Sequence, residues 1–414
     1  MAGVQAQQLR IMTSAIRTHS SPDRQSADIE NPGCIYLDHA ATSPLDSRVL
    51  ELMVSIMSKT VIGNAHSTHH PYGAAADLIV RKAREHVATA IGAQANEIVF
   101  TSGATESNNL AIKGIAGYLK SVKKTRIITS AIEHMSILAP LSQLEREGFE
   151  IVRLRPRPCG MITADIMERA LDEHTGLVTL QAVNNELGTI QPLSKISEIL
   201  RRHQILFHSD AAQALGKISL SLHSEQLDFA SFSAHKIGGP QGVGCLYVRA
   251  EHRSHLDALL AGGGQERGTR SGSTPVALCA GFGKACSLIE PSQQRLWDAR
   301  QFFLAQIEEL QPVVHGHREP HGNVAGIVSI RFPGIDNDTL IMSLPGLAFG
   351  VGSACTKSGD KLSHVVQAVS DDEQAPAETI RISFGSSTTL QELEAAAKQI
   401  VRAVTEIRQI QQVT

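Results

Sequence analysis

The 414-residue chain lacks the materials of several protein classes. Neither charge is in excess: 38 Lys and Arg against 41 Asp and Glu leave a formal net charge of -3. That removes a bulk electrostatic case for nucleic acid or an anionic membrane. One Trp and four Tyr leave little material for base-stacking platforms. No apolar run approaches the roughly 20 residues a membrane helix needs. The six cysteines (Cys34, Cys159, Cys245, Cys279, Cys286 and Cys355) include no C-x-x-C pair. That argues against a zinc ribbon and, at this length, against a disulfide scaffold, so a reducing compartment is expected. Acids are also missing from the start: residues 1–21 carry Arg10 and Arg17, and Asp23 is the first acid. The expected location is the cytoplasm, with an organelle transit peptide in residues 1–21 as the alternative.

What is present is a globular composition, 42% hydrophobic and 19% charged. The length exceeds one ordinary core. The expected division is an N-terminal extension over residues 1–34, a large domain over 46–290, and a smaller domain from 35–45 with 291–414.

Strand-like and helix-like segments alternate from about residue 45 to 290, which implies an α/β layer architecture. The strand candidates are Ile98 to Thr101, Arg126 to Thr129, Ile151 to Leu154, Leu177 to Val183, Ile205 to His208, Phe229 to Phe232 and Gly244 to Val248. Several are apolar on both faces, as strands of a covered parallel sheet should be. Ile132 to Glu147 reads as an amphipathic helix ending at Gly148. Later come a helix from Gln293 to Leu310, a strand from Ile327 to Phe332 and a closing helix from Leu390 to Gln412.

Ligands of a covered parallel sheet bind beyond the carboxyl ends of its strands. The polar residues there should converge: Thr101 to Thr105, Glu133-His134, Asn184-Asn185-Glu186, Asp210 to Gln213 and Ser233 to Lys236. Ser102 to Thr105 sits where a strand turns into a helix, a place that can hold a phosphate or be an ordinary cap. Asp210 could keep a pyridine nitrogen protonated, or be a loop Asp. Lys236, between Ser233, His235 and a glycine pair, suits a Schiff base.

Asp210-Ala-Ala-Gln213 followed by Ser233-Ala-His-Lys236 resembles the cofactor core of class V aminotransferases. Phe100-Thr-Ser-Gly-Ala-Thr-Glu-Ser-Asn108, Val183-Asn-Asn-Glu-Leu-Gly188, Tyr36-Leu-Asp-His-Ala-Ala-Thr42 and Gly262-Gly-Gly-Gln-Glu-Arg-Gly-Thr-Arg-Ser-Gly272 narrow the resemblance to cysteine desulfurases of the NifS/IscS type. It runs from about residue 35 to 405. It implies the pyridoxal 5'-phosphate (PLP)-dependent transferase fold type I, with a mainly parallel seven-stranded sheet in the large domain and a smaller α+β domain. It implies a Schiff base on Lys236, His134 stacked on the pyridine ring, Asp210 on the ring nitrogen and Gln213 on the ring oxygen. Ala104 (through its backbone), Thr105, Ser233 and His235 would hold the phosphate. Family homodimers add a partner's Thr from an R-S-G-T segment; here it reads Arg270-Ser-Gly-Ser273, so Ser273 takes that place. Asn185 and Arg381 would hold the substrate carboxylate, Arg by its planar fork.

Gly350-Val-Gly-Ser-Ala-Cys-Thr-Lys-Ser-Gly359 resembles the S-A-C-T loop of the IscS-like subgroup. Cysteine as a residue type is most often a buried small hydrophobe. The small, polar neighbours of Cys355 instead suggest an exposed loop. The implied reaction is desulfuration of L-cysteine to L-alanine, with a Cys355 persulfide passed to an acceptor protein; thiolate is the nucleophile. Selenocysteine lyase and a docking scaffold for sulfur transfer are the alternatives. Housekeeping members continue into a further tail, whereas this sequence ends soon after its closing helix, so a dedicated pathway such as thiolation is expected over general iron–sulfur cluster assembly. No metal is expected: His315, His317 and His321 lack helical His-x-x-x-His spacing.

Overall fold

Alternate residues of the apolar runs turn to opposite sides of a sheet, and each side finds its own helices. The computed structural model describes residues 33–290, 293–352 and 362–413. Ile35–Thr414 forms one compact unit. The described strands are β1 (Ile35–Leu37), β2 (Ile98–Thr101), β3 (Arg126–Ser130), β4 (Glu150–Leu154), β5 (Thr175–Thr179), β6 (Leu206–Asp210), β7 (Phe229–Ser233), β8 (Gly244–Val248), β9 (Val313–His315), β10 (Ile327–Arg331), β11 (Leu347–Val351) and β12 (Thr379–Ser383).

Seven strands form the larger sheet, in the order β2-β8-β7-β6-β5-β3-β4. β8 pairs antiparallel with both its neighbours, and the remaining pairs are parallel. Val99, Ile127, Leu177, Phe229 and Leu246 pack on one face with Ile112, Ile137 and Leu141. Their strand neighbours Phe100, Ile128, Val178, Ala230 and Cys245 pack on the other with Val80, Val87 and Phe282. The period of two explains why these strands read as continuous apolar runs.

The second sheet has the order β1-β11-β12-β10-β9. β1 is parallel to β11, and the other pairs are antiparallel. Val328, Ile330, Ile380 and Ile382 pack against Phe303 and Ile307 and against Ala396, Ile400, Val404 and Ile407. The last four recur at the spacing of a helix stripe on the helix Leu390–Val413.

Three expected elements differ. The helix expected from Gln293 to Leu310 ends at Gln306, and a 3-10 turn follows over Glu308–Leu310. The helix expected from Ile132 begins at Met135, because His134 is its N-cap and accepts from the Ser136 N–H. The strand expected over 177–183 ends at Thr179. Beyond it the chain still tracks β6, with Leu180 N–H donating to His208 O and Ala182 N–H to Asp210 O. Its burial is that of a strand, but the β5–β6 ladder pairs only Leu177 to Thr179, and Val183 bridges to Ile190 instead.

Candidate active site

The carboxyl ends of the parallel strands open on one edge of the larger sheet, and β8 begins there. A Cβ at Gly244 would lie 2.7 Å from the Gly103 Cα, so the two bare backbones pass closely. Gly103 has φ +152°, a conformation that favours glycine. It caps the helix Ala104–Gly114. Ala104 and Thr105 thus form the first turn of a helix, with Thr105 exposed. Glu106 accepts from the Ser102 N–H at 2.7 Å and from Arg270 Nε at 2.8 Å. Burial would raise its carboxyl, but Arg270 and Ser102 outweigh that and hold it below its ordinary value. The Arg270 segment therefore docks on its own chain, while Ser273 is exposed.

Asp210 ends β6 and is buried. Its Oδ1 accepts from the Ala212 N–H at 3.0 Å and its Oδ2 from Asn108 Nδ2 at 2.8 Å. Asn108 Nδ2 also donates to Ser136 Oγ at 2.8 Å. Ser136 Oγ lies 2.8 Å from His134 Nδ1, which accepts from the Ser136 N–H at 3.1 Å. Asp210 and His134 are thus connected by two side chains. Burial lowers the His134 pKa, against the opposing pull of Asp210. With Nδ1 an acceptor, the imidazole is neutral and carries its proton on Nε2.

Lys236 ends the short 3-10 turn that follows β7. Its amine donates to Ala40 O at 2.6 Å and Ala41 O at 2.7 Å. Gln213 Nε2 donates to the same Ala40 carbonyl at 2.8 Å, and its Oε1 accepts from Lys217. The segment Tyr36–Thr42 therefore lies across both residues. Ser233 is buried. His235 Nδ1 lies 3.2 Å from Thr42 Oγ1, and burial, then Lys236 and Lys217, press its pKa to about 4. A cleft of about 760 Å³ runs beside Lys236 and Lys217, lined also by His39, Arg48, Arg295 and Phe384. Asp210 and His134 are not among its lining residues.

Arg381 comes from β12 of the second sheet. Its Nη1 donates to Asn185 O at 3.0 Å and its Nη2 to Asp38 Oδ1 at 2.6 Å. Its Nε is buried without a hydrogen-bond partner among the described residues. Cys355 lies outside the described residues. Both flanks of its segment are anchored here. Gly350, next to Val351, is opposite Arg381 in the sheet. Ser363 donates to Glu186, the neighbour of Asn185, and His364 Nε2 lies 3.0 Å from the Glu133 carbonyl, the neighbour of His134.

Among the residues of this arrangement to which the sequence assigned no role are Asn108, Ser136 and Lys217. Asn108 had a visible signal, being polar on a helix face shared with the buried Ala111 and Ile112. Ser136 and Lys217 had none.

Residues 35–396 match the model of the class-V aminotransferase family. The cysteine desulfurase IscS of Rickettsia bellii is 40% identical over 380 residues, covering 91% of this chain and 92% of that one. The IscS of Vibrio campbellii is 42% identical over 383 residues, covering 90% and 93%. Among solved structures, a "NifS-like protein" superposes with a TM-score of 0.83 at 33% identity, covering 90% of this chain and 99% of that one. SspA, solved in complex with cysteine, gives a TM-score of 0.74 at 36% identity over 84% and 98%. The chain belongs to the class-V aminotransferase family, of PLP-dependent fold type I, and within it to the cysteine desulfurases of the NifS/IscS type.

Proposed function

We propose that the protein is a cysteine desulfurase that uses PLP to take sulfur from L-cysteine, giving L-alanine and a persulfide on Cys355. One observation carries the reading: the Asp210–Asn108–Ser136–His134 chain and the Lys236–Ala40–Gln213 cluster sit at the carboxyl edge of one sheet. The activity named for the relatives, and cysteine bound in one solved neighbour, support it.

The residues fit the cofactor. Gly103, held at φ +152°, presents bare backbone at the helix N-terminus, next to Ser233, where a phosphate could approach. Ala104 N–H, Thr105, Ser233 and His235 would hold it there. Ser273 would reach across a homodimer to the same group. Asp210, fixed by two donors, would face the ring nitrogen, Gln213 the ring oxygen and His134 the ring face. Asn108 Oδ1, beside Asp210, is buried with no hydrogen-bond partner among the described residues. When bound, the cofactor supplies an electron sink for charge developing at the substrate Cα.

Lys236 would bind the cofactor through its amine and, once released by substrate, move the proton at the substrate Cα. Asn185 and Arg381 would orient the substrate carboxylate. The Cys355 thiolate would attack the substrate sulfur. A sulfur–sulfur bond forms and the substrate carbon–sulfur bond breaks. The electron pair of that bond stays with the substrate carbon, which takes up a proton to become the methyl group of alanine. The second sheet and its helices would form a smaller lobe that brings Arg381 and the Cys355 segment to the site. A sulfur-acceptor protein would then take the persulfide sulfur.

Two replacements test the proposal. Lys236→Ala should lose both cysteine turnover and the absorbance of covalently held cofactor. Cys355→Ser should keep that absorbance and form no persulfide; full cysteine turnover in it would overturn the assigned nucleophile.

A further inference from the structure

Lys217 is an ionisable residue that the reaction above does not use. It follows Gly216, whose φ of +73° turns the chain so that residue 217 comes back beneath Gln213. Its backbone N–H donates to Ala214 O at 2.9 Å, which fixes the turn. The stem remains in part open to the cleft, while protein encloses the amine and lowers its pKa to about 7. That amine donates to Gln213 Oε1.

This contact settles which way the Gln213 amide points. Oε1 is taken by Lys217, whose charged amine has three donors and no acceptor. Nε2 must then face the other way, where it donates to Ala40 O. Ala40 O in turn accepts from Lys236. Donation thus runs from Lys217 through Gln213 to the Ala40 carbonyl, which also accepts from Lys236 on its other side. An amide rotated by a half turn would bring its NH2 against the Lys217 amine and its oxygen against the Ala40 carbonyl, donor on donor and acceptor on acceptor.

We propose that Lys217 is a positioning residue, which locks the Gln213 amide with Nε2 toward the cofactor's ring oxygen and sets a further cationic group behind Lys236. The proposal rests on the PLP reading of the site. Both effects act in one direction. A donor at the ring oxygen and a cation nearby each disfavour a proton on the nitrogen that Lys236 shares with the cofactor. The other groups bearing on Lys217 are Lys236 and Arg381, which oppose its charge, and His39 and His235, whose own charged forms it disfavours. Asp38 lies beyond, paired with Arg381.

The test is a pH titration of the cofactor absorbance in purified holoenzyme. Absence of that absorbance in the unaltered protein would sink the PLP reading and this proposal with it, whereas normal absorbance with an unmoved midpoint would sink this proposal alone. Lys217→Met removes the donor at similar length and should raise the pH midpoint by about one unit. Lys217→Gln restores a donor and should recover part of that rise. Because Lys217 acts through Gln213, adding Lys217→Met to Gln213→Met should move the midpoint less than it does alone. An unmoved or lowered midpoint in Lys217→Met overturns the proposal. So does an equal shift in the presence and absence of Gln213. If Lys217→Met folds poorly, the Lys217→Gln midpoint decides: a rise of a fraction of a unit with near-normal cofactor affinity supports the proposal, and an unaltered or lowered value overturns it.

Discussion

Asn108 holds Asp210: its Nδ2 lies 2.8 Å from the carboxylate Oδ2 and the same distance from Ser136 Oγ. One amide thus ties the helix after β2 to the end of β6 and to the helix that His134 caps. Replacing it by the similarly sized Leu would leave two buried groups without that donor. Asn108→Leu should cost ~1–3 kcal/mol of stability and weaken cofactor binding, because Asp210 loses the contact that fixes its rotamer. Asn108→Asp should be worse for the cofactor, since two adjacent carboxylates cannot both stay ionised cheaply. Urea unfolding and cofactor titration of both variants check this; unchanged affinity in both would show that Asp210 needs no such support.

The same residue shows what a sequence conveys. Strand ends could be read because each follows an apolar run, and so Asp210, His134 and Lys236 were identifiable as neighbours-to-be. Asn108 lies 102 positions from Asp210, and no local pattern marks a contact at that range. Lys217 is only four residues from Gln213, yet its inward path depends on the turn at Gly216 and on the cleft beside it. The carbonyls of Ala40 and Ala41 were invisible for another reason: every residue has a carbonyl, and only tertiary structure selects those that meet Lys236. The apolar run over 177–183 exposed the limit of periodicity, which detects burial but not regular pairing.

His208 makes stability depend on pH. It is buried in β6, with Nδ1 2.8 Å from Thr179 Oγ1 and Nε2 3.0 Å from Ser231 Oγ. Burial drives its pKa from 6.5 down to about 3. The folded protein therefore keeps it neutral while the unfolded chain takes up a proton below about pH 6.5. Its contribution to stability is intact above that value and is lost as pH falls toward the folded pKa. The slope from this group is ~1.4 kcal/mol per pH unit. His208→Gln keeps polar contacts without titrating. Urea unfolding between about pH 7 and pH 5 should show a shallower loss for the variant; parallel curves would remove His208 from the acid response.

Arg381 should separate binding from chemistry. Its guanidinium spans Asn185 O and Asp38 Oδ1, and a Cβ on Gly350 would lie only 2.7 Å from Nη2. The bare strand β11 is therefore shaped around a planar head. A lysine at 381 has one compact ammonium, which cannot serve both protein acceptors and a carboxylate in a fork. The Nε, which has no hydrogen-bond partner among the described residues, would have no equivalent. Arg381→Lys should raise KM for cysteine by about tenfold, equivalent to ~1.4 kcal/mol, with a smaller change in kcat, because the carboxylate contact is made before and during the reaction alike. Steady-state kinetics with the cofactor absorbance recorded alongside checks this. An unchanged KM would move the carboxylate site away from Arg381, while a loss confined to kcat would place the residue in the chemical step.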